Sequence, residues 1–370
     1  MCSRSHDAPF ILNDRFMIAV LRNFYKRYFH EEEAIILTGL LITLFVVLMT
    51  MGSILAPLLW SLILSYLLQG LINALDRLQL PHKLAIYIVY FLFIGALLIV
   101  MLVVLPFIWN SMTSLINNLP QMTERLRALL MTLPQDYPEV FTAAQVDGWL
   151  ESFQAELLHT GQLMLSYSFS SFTRIVTWMI YTILVPIMVF FMLKDADKLL
   201  AWCENLLPEN KPVMAQIWHE MNEQLTNYVR GKALEILLVG GSCFVLFTLL
   251  GLRYPLLLSV LVGFSIIIPY IGAKVVAIPV FMVGFVQWGF TPDFYHLLIA
   301  YTVLLVLDGY VLVPVLYSET VFLHPIAIIT AVLVFGGLWG FWGVFFAIPL
   351  ATFIKATLRA WPVGLRLAPK

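Results

Sequence analysis

Charged residues are scarce in this chain, and their scarcity excludes an ordinary soluble domain. Of the 370 residues, 12% are charged and 61% are hydrophobic, against roughly 25% and roughly 45–50% in soluble domains. A water-soluble fold of this size cannot bury so much apolar surface, since over half of a globular surface still faces water. The excess must face lipid, which predicts an all-α, polytopic α-helical membrane protein.

Motifs for catalysis and metal binding are also missing. The sequence contains no GxxxxGK[ST] loop for a nucleotide phosphate, no HExxH and no GxSxG. Cys2, Cys203 and Cys243 form no CxxC pair, and the seven histidines show no metal-ligand spacing. With a net charge of −1, the chain has no basic field to attract nucleic acid. We therefore expect no enzyme activity, catalytic residue, metal, cofactor or nucleic-acid partner.

Long apolar stretches predict the membrane spans. A helix needs about 20 mostly apolar residues to cross a hydrocarbon core of about 30 Å. The last apolar stretch, 325–354, is long for one helix and carries GGLWGFWG at its centre, which predicts a hairpin of two short helices. The spans expected before it are 34–51, 54–73, 84–107, 174–193, 233–251, 255–272, 275–290 and 295–316.

Lysine and arginine predict the orientation, because they favour the cytoplasmic side. With the N-terminus inside, 17 of the 21 basic residues are cytoplasmic, and the opposite orientation would leave those 17 outside. Both termini are therefore expected in the cytoplasm. The 17 are five before residue 34, two in 74–83, five in 194–232, Lys274, and four after residue 354.

The spans and polar stretches divide the chain into segments. The spans are expected to contact the lipid bilayer, which is therefore the first predicted partner. The predicted segments are a cytoplasmic N-terminal segment (1–33), a first membrane unit of three spans (34–109), an extracytoplasmic helical lobe (110–173), a fourth span (174–193), a cytoplasmic amphipathic helical segment (194–232), a C-terminal membrane unit with proline- and glycine-broken helices (233–356) and a cytoplasmic tail (357–370).

Each of the two polar segments contains an amphipathic helix. In the lobe, Thr142 and Gln145 fit a capping box that starts such a helix. Both helices are expected to pack against neighbouring structure. The alternatives are substrate capture by the first helix and, for the second, a movement transmitted directly into the span at 233. The apolar faces are Val146, Leu150, Phe153 and Leu157 in the lobe, and Met214, Ile217, Trp218, Met221, Leu225 and Tyr228 in the cytoplasm.

Asp308 is the sharpest candidate for a transport residue. A charged side chain at the bilayer centre costs about 2.5–3.5 kcal/mol, and Asp308 lies near the middle of its span. Gly309 beside it is expected to permit a close approach, and Pro314 to open the backbone hydrogen-bond ladder. The position is interpreted as a proton, sodium or substrate site. The alternative is a structural hydrogen bond or ion pair between helices.

Lys274 lies in IIIPYIGAKVVAIPV, between Pro269 and Pro279. A helix broken between two prolines exposes backbone groups that can line a transport pathway. The alternative is that Lys274 reaches the cytoplasmic surface from an ordinary turn.

Glu235 lies at the inner end of its span, close to Arg230 and Lys232 in the sequence. An interfacial charge group is the expected role of these residues. A transport site is the alternative.

Glycines interrupt the final apolar stretch. Gly336 and Gly340 form a GxxxG pair, which lets helix backbones approach closely and predicts helix packing or a subunit contact. The alternative is an outer gate made by nearby aromatic rings. His324-Pro325 is expected to start a helix, and Pro349 to kink the last one. The other glycines are Gly337 and Gly343, and the rings are Trp339, Phe341 and Trp342.

Several longer strings resemble the AI-2E family of transporters, over about residues 17–362. They are VPIMVFFMLKD at 185–195, TNYVRGKALE at 226–235, IPYIGA at 268–273, LDGYVLVPVLYSETVFLHP at 307–325 and FGGLWGFWGVFFAIPLATFIKA at 335–356. The family pattern falls on Pro269, Gly272, Pro279, Pro314, His324, Pro325, Gly336, Gly337, Gly340, Gly343 and Pro349.

The resemblance implies a multi-pass permease of the bacterial inner membrane that forms a homo-oligomer. Members of the family are linked to export of the signal autoinducer-2 and, in some cases, to sodium/proton exchange. We therefore expect secondary transport, in the export direction, of a small polar solute coupled to protons or sodium. The alternative is a passive channel or an oligomeric membrane scaffold.

Overall fold

The computed structural model describes residues 32–52, 54–131, 172–205, 212–317 and 323–360, with Thr142 and a few positions from 144 to 155. Within these ranges the regular structure is helical, with no strand, as the composition predicts. The helices before residue 206 are α1 (Glu32–Met51), α2 (Ala56–Arg77), α3 (His82–Ile99), the π-helical segment π1 (Val100–Val104), α4 (Leu105–Leu130), α5 (Phe172–Lys194) and α6 (Ala196–Asn205).

The C-terminal part begins with one long helix and continues with shorter, broken ones. Its elements are α7 (Pro212–Leu249), α8 (Pro255–Ser265), α9 (Gly272–Trp288), α10 (Pro292–Leu307), the π-helical segment π2 (Asp308–Leu312), α11 (Val313–Tyr317), α12 (Pro325–Trp339), α13 (Phe341–Phe345) and α14 (Ala347–Ala360).

Five described helices are long and apolar enough to cross a membrane. Shorter apolar helices of 10–17 residues lie in α1, α8, α9 and α12. This combination is that of a polytopic α-helical membrane protein, the predicted fold class. The five long helices are Ala56–Arg77, His82–Leu130, Val176–Lys194, Pro212–Leu249 and Pro292–Tyr317.

The helical structure that contains the third predicted span continues past residue 107 as far as Leu130. This extension, α4, buries Leu119 and Met122. The Asn118 side chain donates a hydrogen bond to the Tyr254 hydroxyl at 2.8 Å. The extension is therefore held against the turn that precedes α8, a contact between distant parts of the chain that hydropathy alone does not reveal.

The lobe beyond α4 is described at a few positions. The Gln145 side chain accepts a hydrogen bond from the Thr142 backbone N–H at 3.2 Å, which is one half of the predicted capping box. Arg127 of α4 forms an ion pair with Asp147 at 2.8 Å. The predicted apolar face at 146, 150, 153 and 157 lies outside the described residues.

Each π-helical segment is followed by the same local sequence feature. Residue 106 after π1 and residue 314 after π2 are both prolines in the second position of the next helix. Proline has no N–H to donate, and in an α-helix its ring collides with the carbonyl four residues earlier, here residue 102 or 310. Both of those carbonyls lie inside the π-helical turns, whose wider winding accommodates the prolines.

The two largest apolar clusters hold many of the membrane helices together. The first joins α2, α3 and α5 around Ile72, Val89 and Val189. The second joins α7 to α10 around the fully buried Phe247 and Tyr301. The long helix α7 belongs to the second group of helices and also packs against α2 of the first group, so it connects the two.

Helix α7 runs without a break from the segment predicted to be cytoplasmic into the predicted span that starts at 233. Met214, Ile217, Met221 and Tyr228 are buried on one face, as the spacing predicts. The prediction was wrong for Trp218, which is 56% exposed. Position 218 follows Ile217 directly, so its side chain projects about 100° away from that face.

The final apolar stretch turns at Gly340, whose φ of +59° lies in the left-handed region that favours glycine. Helices α12 and α14 pack against each other on either side of it. A Cβ at Gly343 would collide with the Phe335 carbonyl oxygen, whereas one at Gly337 or Gly340 would meet no atom within 4 Å. Of the GxxxG pair, a Cβ at Gly336 would come within 2.8 Å of Val344.

The two longer helices of this hairpin, α12 and α14, begin in different ways. His324 caps α12, since its Nδ1 accepts a hydrogen bond from the Ile326 N–H at 3.3 Å, and Pro325 is the first helical residue. This confirms the predicted helix start. The predicted kink at Pro349 is wrong, because Pro349 lies in the first turn of α14, where no intrahelical N–H bond is lost.

Candidate functional site

A buried ion pair lies within α7. Lys232 Nζ and Glu235 Oε2 are 2.8 Å apart, and the two side chains are 7% and 4% exposed. Both charges are therefore enclosed by the protein, and the interfacial position expected for Glu235 stays a prediction. Since charges lose several kcal/mol of hydration on burial, such a pair persists only when it is well bonded.

Two other helices supply further bonds to the pair. The Tyr317 hydroxyl, at the end of α11, donates to Glu235 Oε2 at 2.8 Å. Lys232 Nζ donates to the Ile266 carbonyl oxygen at 3.2 Å and lies 5.7 Å from the centre of the Tyr317 ring. The ion pair thus joins α7 to two helix ends, that of α8 and that of α11. We call Lys232, Glu235, Tyr317 and the Ile266 carbonyl the polar cluster.

Small and aromatic residues enclose the polar cluster. A Cβ at Gly231 would come within 2.7 Å of the Tyr317 ring, so glycine lets this ring reach α7. Tyr228, one turn earlier, is buried and donates to the Phe345 carbonyl oxygen at 2.7 Å. Its ring lies 6.4 Å from that of Tyr317. The polar cluster is therefore closed by the hairpin on the side of Tyr228.

Asp308 is the first residue of π2. It is within electrostatic range of Glu235 and Lys232. Its Oδ1 atom is buried and has no hydrogen-bond partner among the described residues. The close approach expected at Gly309 is wrong, since a Cβ there would meet no atom within 4 Å. What distinguishes this position is the π-helical backbone, which is frequent at functional sites.

The structure separates two predicted candidates from this site. Arg230 points away from Glu235, because its Nε donates to the Tyr66 carbonyl at 3.4 Å and packs over Gly70 of α2. Lys274 is exposed in the first turn of α9.

The predicted helix break near Lys274 is present, but it lies before the lysine. Helix α8 ends at Ser265, short of the expected 272, and α9 starts at Gly272. Pro269 lies in the turn between them, while Pro279 lies inside α9. A Cβ at Gly272 would collide with the Ser265 carbonyl oxygen, so glycine allows the second helix to start against the first.

Two of the three rings predicted as an outer gate, Phe341 and Trp342, contact α2. Trp342 lies 5.0 Å from Trp60, and Phe341 lies 5.9 Å from it, measured between ring centroids. Trp342 also packs against the apolar cluster that contains Tyr228 and Phe345. These rings therefore connect the hairpin to the first membrane unit beside the polar cluster.

Sequence reasoning missed Tyr317, Tyr228 and the Ile266 carbonyl. Two signals were available: a tyrosine at the end of an apolar helix, and a glycine beside a lysine inside another helix. Neither signal indicates which helices contact each other, so the contact between Gly231 and Tyr317 could not be predicted from the sequence.

Comparisons with known proteins agree with this architecture. The model of the AI-2E family transporter matches residues 36–363. The chain is 44% identical over 348 residues to "Putative permease PerM" of Escherichia coli strain K12, covering 94% of this chain and 99% of that protein.

Two more distant relatives also match over most of their length. "Putative transport protein YueF" of Bacillus subtilis strain 168 is 30% identical over 311 residues, which is 81% of this chain and 82% of the relative. "AI-2 transport protein TqsA" of Escherichia coli strain K12 is 22% identical over 348 residues, covering 91% and 94%. With a family model matched over most of its length, this chain belongs to the AI-2E transporter family.

Proposed function

We propose that this chain is a secondary transporter that exports a small polar solute, driven by a proton or sodium gradient. The observation that carries the proposal is the buried Lys232–Glu235 pair, which is bonded to two broken-helix ends and lies within electrostatic range of Asp308. Charged groups inside membrane helices are costly and mark ion or substrate pathways. Broken helices at such sites are typical of secondary transporters.

The charges at this site suit coupling to one monovalent cation. Two carboxylates, Glu235 and Asp308, lie near a single ammonium group, that of Lys232. When all three are ionised, one negative charge is left over, and one proton or sodium ion would neutralise it. Moving one charge through 100 mV is worth about 2.3 kcal/mol, so a single ion can drive useful accumulation.

The proposed setting is the bacterial inner membrane, with both termini in the cytoplasm and the chain in a homo-oligomer. The excess of lysine and arginine in 194–232 and in the terminal segments supports this orientation. For the solute we propose an autoinducer-2-like small polar molecule. Its support is the name of the relative TqsA, an AI-2 transport protein. Comparing metabolites inside and outside deletion and overexpressing cells would test the solute.

Coupling is tested with the purified protein in liposomes that contain a pH-sensitive dye. Because we propose that the site takes either one proton or one sodium ion, the two ions should exchange there, and an imposed sodium gradient should move protons across the membrane, whereas an equal choline gradient should not. Asp308→Asn should abolish this ion dependence and leave folding intact, because the buried Oδ1 has no hydrogen bond to lose. Coupling that is unchanged in the variant would remove Asp308 from the mechanism.

The same liposomes test the alternative function. Electrical conductance, or solute movement only down its own gradient, would indicate a passive channel. No flux, together with a reproducible protein partner, would indicate a membrane scaffold.

A further inference from the structure

We propose that Tyr317 is a positioning residue that holds Glu235 in its closed, ion-paired arrangement and must withdraw before Glu235 can accept the coupling ion. This inference rests on the function proposed above. The Glu235 carboxylate accepts two hydrogen bonds on the same oxygen atom. Oε2 accepts from both Lys232 Nζ and the Tyr317 hydroxyl, each at 2.8 Å. With two donors on one oxygen, this atom is not open to a cation.

Of these two donors, Tyr317 is the one that a movement between helices can remove. Lys232 and Glu235 are three residues apart in α7, so their Cβ atoms stay close whenever that helix is intact. Tyr317 comes from α11, a separate helix. A shift of α11 relative to α7 would break the Tyr317 bond and leave the Lys232–Glu235 pair in place.

The backbone before Tyr317 offers a means for that shift. Tyr317 lies five residues after π2, the π-helical segment that begins with Asp308. A π-turn contains about one residue more than an α-turn, and one residue in an α-helix corresponds to about 100°. Rewinding π2 as an α-helix would therefore rotate Tyr317 by about a quarter of a turn relative to α10. Because π2 lies between Asp308 and Tyr317 in the chain, its rewinding would change the position of Tyr317 relative to Asp308.

Gly231 permits the closed arrangement. An added Cβ at this position would come within 2.7 Å of the Tyr317 Cε1 atom and within 3.1 Å of Cζ. Gly231→Ala should therefore displace the ring without removing its hydroxyl. Tyr317→Phe removes the hydroxyl without displacing the ring. The two changes disturb the same bond in different ways, so they should have the same effect on Glu235.

The matched control is Tyr228→Phe. Tyr228 is also a buried tyrosine beside this site, but its hydroxyl donates to the Phe345 carbonyl and not to Glu235. A general loosening of the aromatic packing would affect all three variants. A positioning role of Tyr317 would affect only Tyr317→Phe and Gly231→Ala.

The first measurement does not require transport. Dicyclohexylcarbodiimide modifies carboxylic acids in apolar surroundings, and mass spectrometry of peptides can follow Glu235 and Asp308 separately. We expect Glu235 in the purified full chain to be modified about tenfold faster or more in Tyr317→Phe and Gly231→Ala than in the wild type, since a hydrogen bond to a charged group is lost. Tyr228→Phe should match the wild type. Equal rates in all four proteins, or an equal increase in all three variants, would overturn the proposal.

The second measurement uses sodium-driven proton movement in liposomes. Removing the competing closed state increases the fraction of protein able to bind the ion, which lowers the apparent dissociation constant. Tyr317→Phe should lower the half-saturating NaCl concentration about fivefold and change the maximal rate by less than about twofold. A lower maximal rate at unchanged half-saturation would overturn the proposal. If the labelling rates change as expected but no protein shows sodium-driven flux, the results support the positioning of Glu235 by Tyr317 and contradict the ion-coupled function.

Discussion

Two lysine–carboxylate pairs in this protein share a spacing and a distance but not an environment. Lys232–Glu235 and Asp195–Lys198 are both three residues apart in sequence, and their N–O distances are 2.8 and 2.7 Å. The Lys232 and Glu235 side chains are 7% and 4% exposed, whereas those of Lys198 and Asp195 are 83% and 24% exposed. Their distances are nearly the same, but the energetic consequences of breaking them differ, because water screens only the second pair.

The largest effect is expected from Lys232→Met. It would leave the buried Glu235 carboxylate without its counter-charge, at a cost of about 3–5 kcal/mol. Thermal unfolding of the purified protein in detergent would show this as a large fall in unfolding temperature. Lys198→Met is the control and should leave the temperature unchanged, since Lys198 is largely in solvent. Similar losses in both variants would remove the distinction between the two pairs.

Replacing both members of the buried pair should be milder than replacing one. In Lys232→Met with Glu235→Leu, no charge is left unpaired, and well-packed apolar residues often replace a buried ion pair without net loss of stability. Most of the unfolding temperature lost in Lys232→Met should return, while ion-coupled flux should not. A double variant as unstable as Lys232→Met would show that the pair itself contributes most of the stability.

A smaller loss is expected for the tyrosines around the buried pair. Tyr317→Phe removes a hydrogen bond to a carboxylate and should cost about 1.5–3 kcal/mol, whereas Tyr228→Phe removes a bond to a neutral carbonyl and should cost about 1 kcal/mol. Chemical unfolding of both variants measures the difference. The reverse order would show that the Phe345 carbonyl is the more important acceptor.

The smallest effect is expected at the exposed pair. The hydrogen bond from Lys198 lowers the pKa of the Asp195 carboxyl. A carboxyl with a lowered pKa stabilises the fold above its ordinary pKa, and that contribution disappears as the pH falls through the lowered value. Asp195→Asn should therefore have almost the wild-type unfolding temperature at neutral pH, and any difference should vanish in acid. A large change at neutral pH would show that this pair is not screened.

The sequence was a good guide to features that depend on neighbouring residues. Apolar runs predict most of the membrane helices, and the caps and turns at His324 and Gly340 follow from local backbone preferences. The break near Pro269 was predicted for the same reason, although α8 ends at Ser265, seven residues before the predicted end of its span at 272.

Features that depend on contacts between helices could not be predicted in this way. Glu235 looks interfacial in the sequence because it lies near the start of an apolar run, yet the structure buries it under Tyr317, 82 residues later in the chain. Helix α4 likewise extends past the apolar stretch because it packs against the turn before α8. A single sequence carries no direct information about such distant pairs.

The uninterrupted course of α7 has a mechanical consequence. At 1.5 Å per residue its 38 residues form a rod of about 57 Å, and about 27 Å of that rod separates Met214 from Lys232. A tilt of about 5° about the N-terminal end of α7 would move the Lys232 ammonium group sideways by about 2 Å, which is close to the difference between a hydrogen bond and an open contact. A contact that moves the N-terminal end of α7 would therefore also move Lys232 and Glu235.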